Sequence, residues 1–499
     1  MWRNYRISLS FANLIYLRAW ADLIPLNSGH LYYRKTIPGF SLYFALMGDV
    51  LALSIPIFLL LWVAPALSSW LRRVLPVAAI AMVALAAGFL RAHLLHFVSA
   101  GILSVLLALL FVAASVLTIR FSSTAIRLMK GAALAATPCL AVTFVAPLFY
   151  LSGPSPLPPD PPLAKRLAGS PPVRVLWIVF DDWDQRLTFP DRPRGTTLPI
   201  LDILADRSFV ASRALAGEAG MPVSGMATAI AIPSLLYGKR ALGSADADPG
   251  TRSILFAGSE EPTAFGSGDS ILARVRSEGW NLAIAGWYLP YCRVFAAQAT
   301  DCYWDERYDQ ASSASPRPLE AAVDETRMLF ETEMYSPFGR SLVDARHFAE
   351  YQALLAAARR YAADPSIGVA FIHFNIPHAP YFYNPEIGRF GRRGYPDDLY
   401  ADALRWVDRS VGDILSALRR SGLDSKTAII ISSDHPARLI QTLDPHVPFI
   451  VHLPGETAGM PSSLEFSALG TANLVMAIAR GDVRSPAEIE KFLSRDRNR

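Results

Sequence analysis

Apolar residues are spread unevenly along this 499-residue chain. Before residue 153 they fall into long uncharged runs: Val50–Trp70, Val74–Leu90, Phe97–Ile119 and Gly131–Gly153. A helix crosses a bilayer with about 20 such residues, so the pattern predicts a transmembrane region of about four spans over residues 1–153. The second run is short, and the first begins earlier if Asp49 faces neighbouring helices. Met1–Ile24 breaks its apolar residues with Arg18 and Asp22 and carries Trp2, Tyr5, Tyr16 and Trp20. It lacks the form of a cleavable signal peptide and reads as an interfacial amphipathic helix, with a fifth span as the alternative.

Loop charges orient the spans. Arg72 and Arg73 follow the first, and Arg120, Arg127 and Lys130 follow the third, whereas Arg91 with His93 and His96 is a weaker group after the second. Cytoplasmic loops are the ones enriched in Lys and Arg, so the chain beyond the fourth span is expected outside the cytoplasm. The expected location is a bacterial inner membrane, multi-pass, with the later domain periplasmic. Gly153–Val173 reads GPSPLPPDPPLAKRLAGSPPV. Proline at that density cannot continue a helix and favours extended, semi-rigid chain, so residues 154–172 are expected to form a linker.

The pattern then changes. Val173–Phe180, Asn281–Tyr288, Ile367–Asn375, Thr427–Ser433 and Val447–Leu453 are short, β-rich and nearly continuous in apolarity, as strands covered on both faces are. Between them, Leu404, Val407, Val411, Leu415 and Leu418 recur at helical spacing and predict a helix over Tyr400–Leu418. Alternating strands and helices imply an α/β domain over residues 173–499, with a mostly parallel sheet and helices on both faces. Ligands of such sheets sit beyond the carboxyl ends of the strands.

Composition narrows the function classes. Charged residues are only 18% of the chain and mean hydropathy is +0.27, unusual for a soluble enzyme. The formal charge of +4 and the lack of a basic stripe give no support to a nucleic-acid partner. Cys139 lies in an apolar run and is expected to be a small core residue. Cys292 and Cys302 are open to two readings, a disulfide in an oxidising compartment or two buried thiols.

Chemistry gathers at the strand ends. Asp181 and Asp182 follow the first strand, His373 lies near the end of the Ile367 strand with His378 beyond it, and Asp434 and His435 follow Thr427–Ser433. His446 precedes its strand, the less expected end. Alone, an Asp pair is more often a turn or cap, and a lone histidine is more often a satisfied core residue. Three such clusters beside three strands form instead a set of carboxylates and imidazoles suited to Zn²⁺ or Mn²⁺.

The elements VRVLWIVFDDWD, TAIAIPSLLYGKR, FIHFNIPHAPY and IIISSDHP, in this order, resemble the sulfatase/phosphoethanolamine-transferase branch of the alkaline-phosphatase superfamily. The resemblance covers roughly Val173 to Pro454, and members that transfer phosphoethanolamine or phosphoglycerol also carry an N-terminal membrane bundle. It implies an alkaline-phosphatase-like fold and a divalent metal, Zn or Mn, with Ca a further option. Counting back ten positions from Gly238 reaches Thr228, where the resemblance puts the nucleophile, near a helix start that favours an oxyanion. Ser224 and Ser234 are the alternatives, with Thr228 then only a cap. The implied metal ligands are Asp181, Asp434, His435 and Thr228, with Asp182 as a further ligand at the same or a second site. His373 resembles a substrate-contacting histidine, and His378 and His446 are candidates for a second site or for contacting the transferred group. Lys239 or Arg240 falls where sulfatases keep a basic residue near the anion, or is a solvated surface cation.

Departures from the pattern sharpen the reading. Thr228 is followed by Ala-Ile-Ala-Ile, without the Pro and Arg of formylglycine sulfatases, and threonine cannot become that aldehyde. Pro436 stands where the family commonly has glycine, so the loop beyond His435 must differ. Gly286–Tyr291 (GWYLPY) has no assigned counterpart; its aromatics are core or wall a pocket. The leading expectation is a metal-dependent transferase that moves a phospho-substituent from a membrane lipid to an envelope lipid or glycan. A phosphodiester or sulfate-ester hydrolase and a catalytically silent envelope scaffold are the rival readings.

Overall fold

The structure is a computed structural model and describes residues 1–16, 40–63, 100–149, 160–216, 227–246, 252–304, 341–378, 383–384, 389–390, 396–437 and 444–496. The chain forms two compact units, Met1–Leu157 with Asp309–Val343, and Pro158–Tyr308 with Asp344–Arg499.

The first unit is helical where it is described, with helices Trp2–Ile15, Phe40–Val63, Ala100–Arg120, Ser122–Ala135 and Leu140–Phe149. Its polarity is turned inward. Ser8, Ser10, Asn13, Asp49, Ser54 and Thr143 are buried, and Asn13 and Thr143 are hydrogen-bonded to each other. Ile55, Leu59, Trp62, Leu109, Val112 and Val116 are exposed. Ser122–Val145 is the one stretch among the described residues that is long and apolar enough to cross a membrane, judged by length and composition. Three expectations shift here. Arg127 and Lys130, read as loop charges, lie within the Ser122–Ala135 helix. The predicted fourth run is divided between two helices, with a short 3-10 turn at Thr137–Cys139 where Pro138 lacks an N–H to donate. Cys139, expected to be a core residue, is left exposed on that turn. The run Val74–Leu90 and the charges at Arg72, Arg73 and Arg91 lie outside the described residues.

The second unit is built on an eight-stranded sheet. In chain order its strands are β1 (Arg174–Asp181), β2 (Phe209–Leu215), β3 (Leu282–Gly286), β4 (Asp301–Trp304), β5 (Val369–Pro377), β6 (Thr427–Ser433), β7 (His446–His452) and β8 (Met460–Ser467). They lie side by side as β8-β2-β7-β6-β1-β5-β3-β4. β7 pairs antiparallel with both β6 and β2, and every other pairing in the sheet is parallel. The five strands expected from the apolar runs are all present within one or two residues at their ends. β2, β4 and β8 were not foreseen, because β2 and β8 carry exposed polar positions among buried ones and β4 is only four residues long.

Both faces of the central strands are covered. On one, Leu176, Ile178 and Phe180 of β1 join Ile372, Phe374, Ile429 and Ile431 against helices Ser341–Ala363 and Pro396–Arg420. The second of these contains the predicted Tyr400–Leu418 segment and buries Leu404, Val407, Val411 and Leu418. The other face is packed by Thr471–Arg480, which also meets Ala227–Tyr237 and Ile271–Ser277. The later half of the expected linker is no free spacer. Asp160 accepts hydrogen bonds from Arg293 and Trp304, and the Leu167 N–H donates to the Asn281 side chain at 2.8 Å.

Leu404 is fully buried whereas Arg420 is exposed on the same helix. Leu404→Ala is therefore expected to destabilise the second unit by about 2–5 kcal/mol, and Arg420→Ala by no more than about 0.5 kcal/mol. Thermal unfolding of the two full-length variants checks the contrast.

Candidate metal centre

The centre forms where β1 and β6 end side by side. Their register pairs Phe180 with Ser433, so the next residues, Asp181 and Asp434, leave the sheet together. Ser433 fastens the two ends: its hydroxyl donates to the Phe180 carbonyl at 2.6 Å and accepts from the Trp183 N–H at 3.0 Å. Asp182 turns the chain with φ +67°, a left-handed backbone uncommon outside glycine. Tyr400 holds that turn, donating to the Asp182 carbonyl at 2.8 Å and accepting from the Asp184 N–H at 2.9 Å.

Asp181, Asp434 and His435 are fully buried, and one ligand atom of each lies within 4.8 Å of the others. His435 Nε2 stands 3.2 Å from Asp181 Oδ1 and 3.4 Å from Asp434 Oδ2. Thr228 comes from the first turn of the Ala227–Tyr237 helix. Its hydroxyl lies 3.3 Å from Asp181 Oδ2 and 3.2 Å from His435 Nε2. His373 Nε2 faces the same two carboxylates at 3.8 and 3.9 Å.

The charges oppose burial. Burial alone would raise the Asp181 carboxyl, yet the surrounding His378, His435 and His373 hold it below the ordinary carboxylate range. Burial likewise opposes protonation of His435, but Asp434, Asp181 and Asp182 raise it well above the ordinary imidazole. Burial dominates at His373 and pushes it down to about 4.

These donors fit a divalent cation. Bonds of about 2.0–2.1 Å in tetrahedral geometry set neighbouring ligands about 3.3 Å apart, close to the distances His435 Nε2 keeps from Asp181, Asp434 and Thr228. Asp181 Oδ1 and His373 Nε2 are buried without a hydrogen-bond partner among the described residues. Two carboxylates, an imidazole and a hydroxyl suit Zn²⁺ or Mn²⁺.

The fold gathers most of the sequence candidates and separates others. Asp182 stands behind His435, its Oδ1 3.3 Å from Nδ1, on the opposite side of the ring from the cluster. It buttresses and orients that imidazole, as outer carboxylates do for metal-bound histidines. His378 packs its ring against Trp287, centroids 5.3 Å apart. His446 lies at the same sheet edge because β7 runs antiparallel, so its start meets the ends of the parallel strands; its ring pairs with Asp444. Lys239 and Arg240 are exposed beyond the last turn of the Ala227–Tyr237 helix, about 15 Å along the axis from Thr228, and are not brought to the cluster. Ser234 is buried in that helix, donating to the Ile230 carbonyl at 2.7 Å, while Ser224 lies outside the described residues. Sequence reading missed Tyr291, whose hydroxyl bonds His373 Nδ1 at 2.8 Å; the only signal was the aromatic GWYLPY segment. Cys292 and Cys302 are joined by a disulfide, which settles that pair.

A family model described as type I phosphodiesterase / nucleotide pyrophosphatase matches residues 245–450. The match covers less than half of the chain, which over that stretch is similar to this family. A curated relative is the endo-4-O-sulfatase of Bacteroides thetaiotaomicron, 30% identical over 102 residues. The match spans 18% of this chain and 20% of that protein. Similar solved structures include Ps i-CgsB in complex with k-i-k-neocarrahexaose, at 16% identity over 64% of this chain and 74% of that one, with a TM-score of 0.42. The lipoteichoic acid synthase LtaP from Listeria monocytogenes is another, at 13% identity over 63% of this chain and 73% of that one, with a TM-score of 0.40. Likenesses this distant transfer no chemistry to this chain.

Removing one donor leaves too few ligands to hold a divalent cation. Asp434→Ala is expected to lose bound Zn²⁺ or Mn²⁺ that the wild-type full-length chain retains, read by elemental analysis after desalting. Asp182→Asn keeps the shape of the buttress and weakens the metal about 10–100-fold.

Proposed function

We propose that this chain is a membrane-attached, metal-dependent transferase acting through Thr228. It would move a phospho-substituent, of phosphoethanolamine or phosphoglycerol type, from a membrane lipid to an envelope lipid or glycan. The observation that carries the reading is the Thr228 hydroxyl, 3.3 Å from Asp181 and 3.2 Å from His435 at the start of a helix. A free threonine hydroxyl is a weak nucleophile. A bound divalent cation would supply Lewis acidity, lowering the pKa of that hydroxyl and offsetting charge on the phosphoryl oxygens.

The chain's own residues do the rest. The Thr228 oxygen attacks the tetrahedral phosphorus, its proton passing to the Asp181 side, and the bond from phosphorus to the lipid oxygen breaks. A histidine beside the centre, His378, protonates the departing alkoxide. An acceptor hydroxyl then attacks the phosphorus of the phospho-threonine, giving its proton to that histidine, and the bond to the Thr228 oxygen breaks as the proton held on the Asp181 side returns to Thr228. Threonine cannot supply the formylglycine aldehyde, which favours phosphorus over sulfate chemistry. The exposed apolar side chains and inward polar groups of the first unit support a bilayer setting, where a lipid donor is met. The Cys292–Cys302 disulfide supports an oxidising compartment for the second.

A hydrolase that uses water as acceptor is the second reading, favoured by the phosphodiesterase description of the matching family model. The full-length protein, incubated with phosphatidylethanolamine or phosphatidylglycerol, is expected to release diacylglycerol and to carry the phospho-substituent on Thr228 by mass spectrometry. Thr228→Ala should abolish both, with kcat/KM down at least about 10³-fold. Turnover without any added acceptor would favour the hydrolase. A folded chain that binds neither Zn²⁺, Mn²⁺ nor Ca²⁺ would sink both readings and leave the scaffold.

A further inference from the structure

The reaction outlined above gives no task to Tyr291, a fully buried phenol beside the centre. Three features of the fold seat it there. Gly286, the last residue of β3, pairs with His373 across the sheet. A Cβ at Gly286 would stand 2.3 Å from Tyr291 Cε2 and 2.5 Å from Cδ2, so this glycine leaves the space the ring fills. Tyr291 opens the short helix Tyr291–Val294, and the next residue, Cys292, is disulfide-bonded to Cys302 on β4. The ring also packs against Phe371 and His373, with centroids 5.8 and 6.1 Å away.

The hydroxyl ends 2.8 Å from His373 Nδ1. The Trp287 backbone also hydrogen-bonds the His373 ring; with Nδ1 engaged by both, Nε2 is the atom left for chemistry, and it is buried without a hydrogen-bond partner among the described residues. Its distances of 3.8 and 3.9 Å to the Asp181 and Asp434 carboxylates exceed a hydrogen bond and leave room for an atom between them. Burial, reinforced by the charges of Asp434 and Asp181, opposes ionisation of the phenol, so it remains a neutral hydrogen-bonding group.

We propose that Tyr291 is a positioning residue whose hydroxyl fixes the His373 imidazole so that Nε2 meets an oxygen of the tetrahedral anion bound at the centre. The inference rests on the enzymatic reading above and names the residue that prepares its anion contact. It acts through His373 and does not touch the anion itself.

Orthovanadate is a suitable tetrahedral probe, with binding measured on the zinc-loaded full-length chain. Tyr291→Phe keeps the ring and removes the hydroxyl. It is expected to weaken vanadate about 10–100-fold, with bound zinc and melting temperature unchanged. Gly286→Ala, which must displace the ring, is expected to act in the same direction. Combined with His373→Gln, Tyr291→Phe should add no further loss, because the two residues act as one unit. Vanadate affinity unchanged by Tyr291→Phe, or losses that simply add in the double variant, would overturn the inference and leave the enzyme reading intact. A wild-type chain that takes up none of Zn²⁺, Mn²⁺ and Ca²⁺ would overturn both.

Discussion

Two carboxylates that must share one buried place govern the architecture of the second unit. Asp181 and Asp434 follow adjacent parallel strands and have no exposed surface. Like charges in such a site repel, and each is costly to desolvate, unless positive charge and hydrogen bonds are supplied. The surrounding features answer that demand. His435 lies between the carboxylates, Asp182 behind it steadies its ring, and His373 approaches from the neighbouring strand. Ser433 and Tyr400 contribute no charge, but they hold the two chain ends that create the conflict.

The degree to which this was legible in the sequence follows from which forces act locally. Strands buried on both faces announce themselves as apolar runs, so β1, β3, β5, β6 and β7 were found from composition alone. β2 and β8 were hidden, because the side chains they expose dilute the signal. Asp181, Asp434 and His435 were legible because each directly follows a strand, and topology places such positions together. Two features depend on three-dimensional packing and leave no periodicity. Asp182 faces the far side of His435 because of one left-handed residue. Tyr291 reaches His373 because Gly286, in the same short segment, lacks a side chain.

Family spacing pointed to Thr228 and also to Lys239 and Arg240, and the helix separates them. Thr228 occupies the first turn, and the two basic residues lie past the last. A continuous helix of that length cannot present both ends to one cluster. Ser234, the other described hydroxyl on this helix, uses its proton on the Ile230 carbonyl and accepts the Ala241 N–H. Its chemistry is spent on local structure.

The reversed strand β7 has a consequence of an evolutionary kind. Because β6 runs toward the centre and β7 runs away from it, the chain leaves β6 at His435 and enters β7 at His446 on the same edge of the sheet. Both ends of the connection between them are therefore anchored at that edge. Substitutions between those anchors leave the pairing of the two strands untouched. A lineage could vary the residues between the anchors and inherit the buried carboxylates unaltered.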